Sequence, residues 1–399
     1  MRMSAKTVLI SGGGVAGPAL AHFLSRHGFV PTVVERAPAP RFQGFRIELS
    51  AQGLTVLDRM GLHERVQAVS GAPPDATIAY ADGPEVNIPS WAEGGRAIAR
   101  DRLCSLLHEE GARAAEYLFD DSVTAVHEDD EGVLVHFENR EPRRFDLVVG
   151  ADGLHSNVRG LLFGTTTEDH AHFLGTNLAI FTVDNHTGRE NSTRFHVWPY
   201  RGSAVTTFPG NTDLEGMFLF RSMRPVDAQG MDQDDIKDFV ERVHSDLGGH
   251  VPDLLRNMHG TRVHLAPSQQ IKMQDWHRGR VVLLGDAAHC PDPMTGMGSV
   301  LALLGAMALA GELARHDGDH LRAFAAYREA MRPHVDAAQK VGPLSTGFAA
   351  PRTGRAGIRV RSAVMRASLA ALRISGKEGS GAGDPFGAPP EFPFDRYTP

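Results

Sequence analysis

Short apolar runs alternate with amphipathic stretches along much of the chain, and this alternation predicts an α/β protein. The run from Thr7 to Ser11 predicts a buried strand, the stretch from Val15 to His27 predicts a helix, and the next run predicts a strand that ends at Glu35. Far downstream, Arg280 to Leu284 predicts another buried strand, and Ser299 to Leu313 predicts the buried helix that follows it. The order strand, helix, strand is typical of a doubly wound parallel sheet.

In the middle of the chain the pattern changes to a period of two. The runs Thr193 to Pro199, Ser203 to Pro209 and Glu215 to Arg221 are separated by Gly and Asn turns. This spacing predicts an antiparallel sheet inserted into the first domain. The predicted domains are therefore interleaved. A Rossmann-like domain takes residues 1–72, 98–173 and 272–330, and an inserted β-sheet domain takes residues 73–97 and 174–271.

The last part of the chain, residues 331–374, is predicted to be helical. His320 to Lys340 predicts a helix interrupted by Pro333, and Ala356 to Ile374 predicts an amphipathic helix with an arginine-rich polar side. Such a helix can lie on a membrane surface or bridge two domains. Gly, Pro and Ser dominate residues 375–399, which predicts an extended tail that is either docked or disordered.

The turn after the first strand carries the pattern G-x-G-x-x-G. Gly12 lets the chain turn tightly, Gly14 lets the backbone approach a pyrophosphate, and Gly17 lets the helix pack on the strand. Glu35 follows about 20 residues later, where a carboxylate can accept hydrogen bonds from both ribose hydroxyls. Glycine-rich turns also serve packing alone. Because strand, turn, helix and acid coincide, the segment predicts a site for NAD or FAD.

Three further segments indicate which dinucleotide. Residues 285–289 read GDAAH, residues 293–298 read PMTGMG, and residues 146–153 read DLVVGADG. With the first turn, these blocks resemble the group A FAD-dependent aromatic-ring monooxygenases, which have the p-hydroxybenzoate hydroxylase fold. The resemblance is nearest to the tetracycline-inactivating and polyketide-tailoring members. Val300 and Gly305 stand where the family usually has Asn and an acid, so no side-chain contact from Val300 to the flavin is expected.

The resemblance implies a non-covalent FAD and a set of contacts to it. Asp286 would hold the ribitol or pyrophosphate side, with a turn cap as the alternative, and Arg100 would bind the phosphates, with a solvated arginine as the alternative. Arg41 would contact NAD(P)H. The implied FAD contacts are Gly12, Gly14, Gly17, Glu35, Arg36, Arg46, Glu48, Arg100, Asp152, Asp286, Pro293, Gly296, Met297 and Gly298.

The family chemistry implies hydroxylation of a polycyclic aromatic or polyketide-like molecule. The reduced flavin would form a C4a-hydroperoxide with O₂, whose distal oxygen is transferred to the substrate. NADPH or NADH would bind transiently, because the chain has no second G-x-G-x-x-G unit. A same-fold reductase or cyclase and a ligand-sequestering FAD protein remain alternatives. No obligate catalytic residue is identified, although His289 could serve as an acid or base.

A wide apolar pocket on the inserted sheet is the expected substrate site, although each of its residues taken singly is more typical of the core than of a ligand contact. A small phenolic acid would instead need a cationic clamp, for which Arg194, Arg201 and Arg221 are available. The resemblance to the tetracycline-type enzymes also favours a last helix that bridges the two domains. The expected pocket residues are His196, Trp198, Phe208, Met217 and Phe220.

Composition excludes several other classes. The chain has 399 residues and a net charge of −7, without a basic stripe for nucleic acid. Cys104 and Cys290 are too few for a disulfide framework, which fits a reducing cytoplasm, and Cys290 is interpreted as a packing residue. No metal-ligand cluster and no signal peptide stand out, and the longest apolar stretch is too short to span a bilayer. We expect a cytoplasmic monomer or weak homodimer that binds no metal and no membrane.

Overall fold

The computed structural model describes residues 6–40, 45–80, 85–88, 94–184, 192–208, 213–228, 230–374 and 390–397. The strands are β1 Thr7–Ser11, β2 Val30–Glu35, β3 Arg46–Leu49, β4 Ser70–Gly71, β5 Asp75–Tyr80, β6 Val86–Ile88, β7 Arg96–Ala99, β8 Glu116–Phe119, β9 Val123–Asp129, β10 Gly132–Phe137, β11 Arg143–Phe145, β12 Leu147–Gly150, β13 Ala171–Asp184, β14 Ser192–Trp198, β15 Gly202–Phe208, β16 Asp213–Arg221, β17 His264–Ile271, β18 His277–Arg278 and β19 Val281–Leu283. The helices are α1 Ala16–Arg26, α2 Ala51–Arg59, α3 His63–Val69, α4 Arg100–Ala114, α5 Asn157–Phe163, α6 Gln233–His244, α7 Val251–Met258, α8 Asp286–His289, α9 Gly298–Arg315, α10 His320–Ala349 and α11 Arg355–Ile374, with 3₁₀ turns at Pro293–Thr295 and Phe394–Tyr397.

The apolar runs at the two ends of the chain form one sheet, with the strand order β18-β19-β12-β1-β2-β8. Every pair from β19 to β8 is parallel, and only the short edge strand β18 is antiparallel. Strands β12 and β19 are buried along their whole length, which explains why they read as continuous apolar runs. Helices α1 and α9 pack against each other beside this sheet. The Rossmann-like prediction is confirmed.

Helix α9 is long and apolar enough to cross a membrane by length and composition alone, so the expectation that this stretch is too short is corrected. However, 78% of it is buried inside the protein. It is therefore the central core helix of the first domain. Its first residue, Gly298, directly follows the loop of residues 290–297, which we call the glycine loop.

The inserted sheet has seven strands in the order β17-β13-β16-β15-β14-β5-β6. Helices α6 and α7 cover one face through a core that includes Phe181, Phe218 and Met258. One pair departs from the predicted antiparallel arrangement, because β5 and β14 are parallel. Strand β5 comes from the earlier insertion, so a long connection separates it from β14 and permits the parallel direction.

Helix α10 runs without a break from His320 to Ala349, although the sequence predicts an interruption at Pro333. Both internal prolines, Pro333 and Pro343, lie on the exposed side, where a helix can bend outward without losing core contacts. Helix α10 packs on α9 and also on β13 and β17, so it bridges the two domains. The sequence prediction assigns this bridging role to the following helix, α11. Helix α11 instead packs on the inserted sheet through Ile358.

The described part of the tail, residues 390–397, is docked on the first domain. The Phe392 and Tyr397 side chains are buried, and the Tyr397 hydroxyl donates to Glu312 Oε1 at 3.0 Å. Arg396 pairs with the same buried carboxylate at 2.6 Å, and Arg59 donates to the Phe394 carbonyl at 2.9 Å. Of the two alternatives for the tail, docking holds for these residues.

Candidate active site

The three glycines of the first turn are placed for different reasons. Gly12 has φ +115°, and a Cβ there would overlap the Ala151 carbonyl oxygen. A Cβ on Gly17 would overlap the Gly12 carbonyl oxygen, so helix α1 can pack on β1 only with glycine at this position. A Cβ on Gly14 would meet no atom within 4 Å. The turn therefore keeps the backbone of Gly14 open, as an approaching pyrophosphate requires.

The N-terminus of α1 has no side-chain cap, so the backbone N–H groups of its first turn remain available for an anion. Glu35, at the end of β2, accepts hydrogen bonds from the N–H groups of Gly13 at 2.8 Å and Ala37 at 2.9 Å. Each carboxylate oxygen has a second lone pair, so the anchored side chain can still accept from a ribose. Arg36, beside it, is exposed. These residues fit a dinucleotide.

The second turn brings Asp286 close to the start of α9. Its Oδ1 would lie 3.5 Å from a Cβ on Gly298. Burial raises the pKa of Asp286, while the positive charge of Arg100 lowers it. A hydrogen bond with the Cys290 thiol, one turn later, also lowers this pKa. Asp286 and Arg100, the first residue of α4, therefore lie close enough to interact, and both the FAD contact and the turn cap stay predictions for Asp286.

The loop between α8 and α9 ends in a 3₁₀ turn, Pro293–Thr295, and then Gly296 with φ +66°. A Cβ on Gly296 would meet no atom within 4 Å, and Met297 N donates to Thr295 Oγ1 at 3.1 Å. Within the described residues no side chain caps α9, so the N–H groups of its first turn remain available for an anion. Val300 packs on Gly53 of α2, which explains how an apolar residue replaces the usual Asn.

The Asp152 carboxylate is used within its own loop. Ser156 Oγ donates to Asp152 Oδ1 at 2.5 Å, and Val158 N donates to Oδ2 at 3.0 Å. These bonds hold the start of α5. Each carboxylate oxygen keeps a second lone pair, so the FAD contact of Asp152 stays a prediction beside this structural role. The neighbouring Arg159 is fully buried and donates to Ala287 O at 2.9 Å, which ties this loop to the second turn.

Arg46 and Glu48 lie together on β3, as the sequence predicts, and a third residue joins them. Arg46 N donates to Glu215 Oε1 of β16 at 2.9 Å. Burial raises the pKa of Glu48, and the charge of Arg46 opposes this shift. Glu215 was outside the sequence prediction, because nothing in its strand pattern marks it. Arg41 lies outside the described residues.

His289 does not reach the open region. It is 1% exposed and its ring centroid lies 4.7 Å from that of Trp276. Burial lowers its pKa to about 3, so the ring is neutral at physiological pH. We therefore correct the acid–base hypothesis for His289, which is a core residue behind the glycine loop.

The five predicted pocket residues do not share one face of the inserted sheet. His196 stacks on Trp198 at 6.3 Å and contacts His250 at 5.1 Å. With Phe220, Trp198 packs into the core under α6 and α7. These three side chains therefore face away from the first domain, and their assignment to the pocket is corrected. Successive side chains of a strand alternate between the two faces, so only one parity can face the flavin. Phe208 ends β15, and its side chain is not among those described.

Met217 is on the other face, which we call the flavin-side wall. It consists of Ile180, Phe195, Val205, Met217 and Leu219, and it packs against Met294 of the glycine loop and Ala349 of α10. Strand pairing places Phe195 opposite Val205 and Val205 opposite Met217. Four of these wall residues are absent from the sequence prediction. They share a sheet face with Met217, but the sequence shows this only once the strand pairing is known.

The three candidate clamp arginines are also separated. Arg194 pairs with Glu85, and Arg201 pairs with Asp246 at 2.6 Å. Arg221 lies at the end of β16 and donates to the Ala350 carbonyl at 2.8 Å. They form no common clamp.

Asp292 is a further residue that the sequence analysis missed. It directly precedes the 3₁₀ turn, has φ +94° and is 1% exposed. Ser268 Oγ donates to Asp292 Oδ1 at 2.6 Å, and within the described residues Oδ2 has no partner. Burial raises the pKa of Asp292 to about 7. Its only sequence signal is that a charged residue stands between two prolines of the glycine loop.

Comparison with known proteins agrees with this geometry. The model of the FAD binding domain family matches residues 5–339. An uncharacterized protein of Mycobacterium tuberculosis is 36% identical over 346 residues, which cover 83% of this chain and 91% of that protein. A flavin-dependent monooxygenase from an unknown prokaryotic organism is 30% identical over 344 residues, with coverages of 84% and 88%. The tetracycline destructase Tet(55) superposes with a TM-score of 0.79 at 28% identity and covers 98% of this chain and 100% of its own.

The family match spans both glycine turns and the connecting sheet, so the predicted family and fold are confirmed. The chain belongs to the FAD binding domain family and is an FAD-dependent monooxygenase.

Proposed function

We propose that the enzyme uses NADPH or NADH to hydroxylate a polycyclic aromatic or polyketide-like small molecule in the cytoplasm. The observation that carries the proposal is the flavin-side wall, an apolar sheet face that meets Met294 of the glycine loop. Val205 and Leu219 of this face are buried, whereas Ile180, Phe195 and Met217 are only partly buried. Such an apolar face suits a large flat molecule, because it excludes water and leaves few fixed polar contacts. The relative that bears the name tetracycline destructase supports the same substrate class.

FAD would supply the reaction with O₂ and the transfer of one oxygen atom, with the hydroperoxide chemistry that the family resemblance implies. The chain's own residues would bind and orient it. Glu35 would accept from the ribose, Arg100 would pair with phosphate, and the uncapped N-terminus of α9 would stabilise negative charge near the flavin ring. The described part of the site contains no side chain that we assign as an obligate base.

The test is product analysis with labelled O₂. FAD-loaded enzyme is mixed with NADPH or NADH and with polycyclic phenols, and product mass is followed with flavin reduction and peroxide release. The proposal expects faster flavin reduction with a bound phenol and a product that gains one labelled oxygen atom. If no polycyclic phenol that binds gains labelled oxygen, the proposed hydroxylation of this substrate class is wrong.

A further inference from the structure

A cleft of about 780 Å³ opens where the flavin-side wall ends. Arg221 follows Met217 and Leu219 at alternate positions of β16, so its side chain continues the same face of the sheet. Gly342 of α10 lies between the cleft and the glycine loop. A Cβ there would lie 3.2 Å from Leu174 of the cleft and 3.1 Å from the Pro291 carbonyl oxygen of the loop. The residues that line it are His172, Phe173, Leu174, Gly175, Tyr200, Arg221, Ser222, Met223, Pro343 and Arg352.

Two guanidinium groups converge inside this cleft. A Cβ on Gly175 would lie 3.1 Å from an Arg221 nitrogen and 3.3 Å from an Arg352 nitrogen. Gly175 has φ +84°, and its missing side chain leaves room for both groups. Arg221 is fixed by the Ala350 carbonyl, which comes from the same segment as Arg352. The sheet and the end of α10 therefore position the pair jointly.

The charge of this pair is not balanced by the surrounding protein. Among the residues that the structure describes, no aspartate or glutamate lines the cleft. Within the described residues, Arg221 has only the carbonyl contact and Arg352 has no hydrogen bond or ion pair. The positive charge of Arg352 lowers the pKa of Arg221, in addition to the effect of burial. Two like charges held together without an acid are stabilised by a bound anion.

The remaining lining is apolar. Met223 is 97% exposed and Tyr200 is 64% exposed, with Phe173 and Leu174 beside them. We propose that Arg221 and Arg352 form a binding site for a carboxylate or phosphate group of a ligand whose flat apolar body lies on these side chains. The anion belongs either to the substrate or to the reductant. The substrate assignment rests on the proposed function, whereas binding itself does not.

Binding to the oxidised FAD-loaded enzyme tests the site without turnover. The probes are 2-naphthoate and 2-naphthol, which share a ring system and differ in charge, and the readouts are calorimetry and the difference spectrum of the flavin. The variants are Arg352→Gln, Arg221→Gln and the conservative Arg221→Lys. Arg359→Gln removes one exposed positive charge outside the cleft and serves as the matched control.

If the substrate supplies the anion, Arg352→Gln and Arg221→Gln weaken 2-naphthoate binding about ten-fold or more and leave 2-naphthol unchanged. Arg221→Lys retains part of the preference for 2-naphthoate over 2-naphthol, and Arg359→Gln retains all of it. A second experiment measures flavin reduction by NADPH and by NADH. If only the NADPH concentration for half-maximal reduction rises in the glutamine variants, by a similar factor, the phosphate of the reductant occupies the site.

The proposal is overturned if neither the naphthoate-to-naphthol ratio nor the NADPH-to-NADH ratio changes in the two glutamine variants. Loss of both probes together with a lower unfolding temperature also overturns it, because the arginines then only support the fold. These outcomes are independent of labelled-oxygen incorporation. Failure of the monooxygenase substrate proposal therefore leaves the anion site measurable, and the reverse holds as well.

Discussion

The first glycine turn and the inserted sheet place their functional groups by different physical means. In the turn, backbone atoms approach so closely that only glycine fits at Gly12 and Gly17. In the sheet, any apolar residue can occupy either face, and the direction of each side chain depends on strand parity. Function in the turn is therefore tied to residue type, whereas function in the sheet is tied to register.

The largest effect is expected in the turn. Gly12→Ala would place a Cβ against the Ala151 carbonyl and force an L side chain to a φ of +115°. Backbone strain alone costs about 1–3 kcal/mol, and displacing Ala151 breaks the packing of the adjacent turn. We expect little folded protein and no bound FAD, measured by circular dichroism and flavin absorbance. Gly14→Ala meets only open space and should keep the wild-type unfolding temperature while binding FAD less tightly. Equal unfolding temperatures for the wild type and Gly12→Ala would contradict the steric argument.

Because Phe220 and Met217 lie on opposite faces of the inserted sheet, substitutions there should affect stability and substrate binding separately. Phe220 is 4% exposed in the core under α6 and α7, so Phe220→Ala should lower the free energy of unfolding by about 3–5 kcal/mol. It should leave the KM for an accepted substrate unchanged, because the side chain faces away from the glycine loop. Met217→Ala, on the flavin-side wall, should raise KM with a smaller loss of stability. Urea unfolding and steady-state kinetics on both variants decide the matter. A raised KM in the Phe220 variant and an unchanged one in the Met217 variant would reverse the assignment of the faces.

This difference also explains how much the sequence could predict. The turn residues, β1, α1 and the Arg280–Leu284 strand follow from local patterns, since glycine sterics and apolar runs act over few residues. The wall around Met217 and the pairing of Arg221 with Arg352 depend on contacts between distant segments. Alternation shows that two faces exist, but it does not show which one the helices cover. His196, Trp198 and Phe220 were therefore placed on the wrong face.

A third prediction concerns Asp292 of the glycine loop, whose charge depends on pH near neutrality. The pKa of Asp292 is raised from its ordinary value of 3.8 to about 7 by burial. Between these values the folded protein keeps a proton that the unfolded chain has released. The stabilising effect of this proton is complete below the unfolded pKa and is lost as pH rises through 7.

Asp292→Asn removes this titration and keeps a residue type that tolerates positive φ. The free energy of unfolding of the variant, relative to wild type, should rise by about 2–3 kcal/mol from pH 5 to pH 8, at about 1.4 kcal/mol per unit within the window. Chemical denaturation at pH 5, 6.5 and 8 measures the difference, in which the other titrating groups cancel. A difference that is constant over this range would show that Asp292 is already ionised in the folded protein.

The last prediction compares two aspartates that both follow a glycine-rich strand end. The Asp152 carboxylate accepts from Ser156 and Val158, whereas the Asp286 carboxylate lies near the start of α9 and hydrogen-bonds with the Cys290 thiol. Asp286→Ala should weaken FAD binding by about 1–3 kcal/mol, the cost of leaving its hydrogen-bond partner unpaired, with little change in the stability of the apoprotein. Asp152→Ala should lower the stability of the apoprotein by about 0.5–2 kcal/mol through the lost hydrogen bonds at the start of α5. An unchanged FAD affinity of its folded fraction would show that the Asp152 carboxylate acts only within its own loop. Fluorescence titration of each apoprotein with FAD, alongside thermal unfolding, measures both quantities. If Asp286→Ala changes apoprotein stability and leaves FAD affinity intact, the second turn works like the Asp152 loop, and only the first turn recognises the dinucleotide.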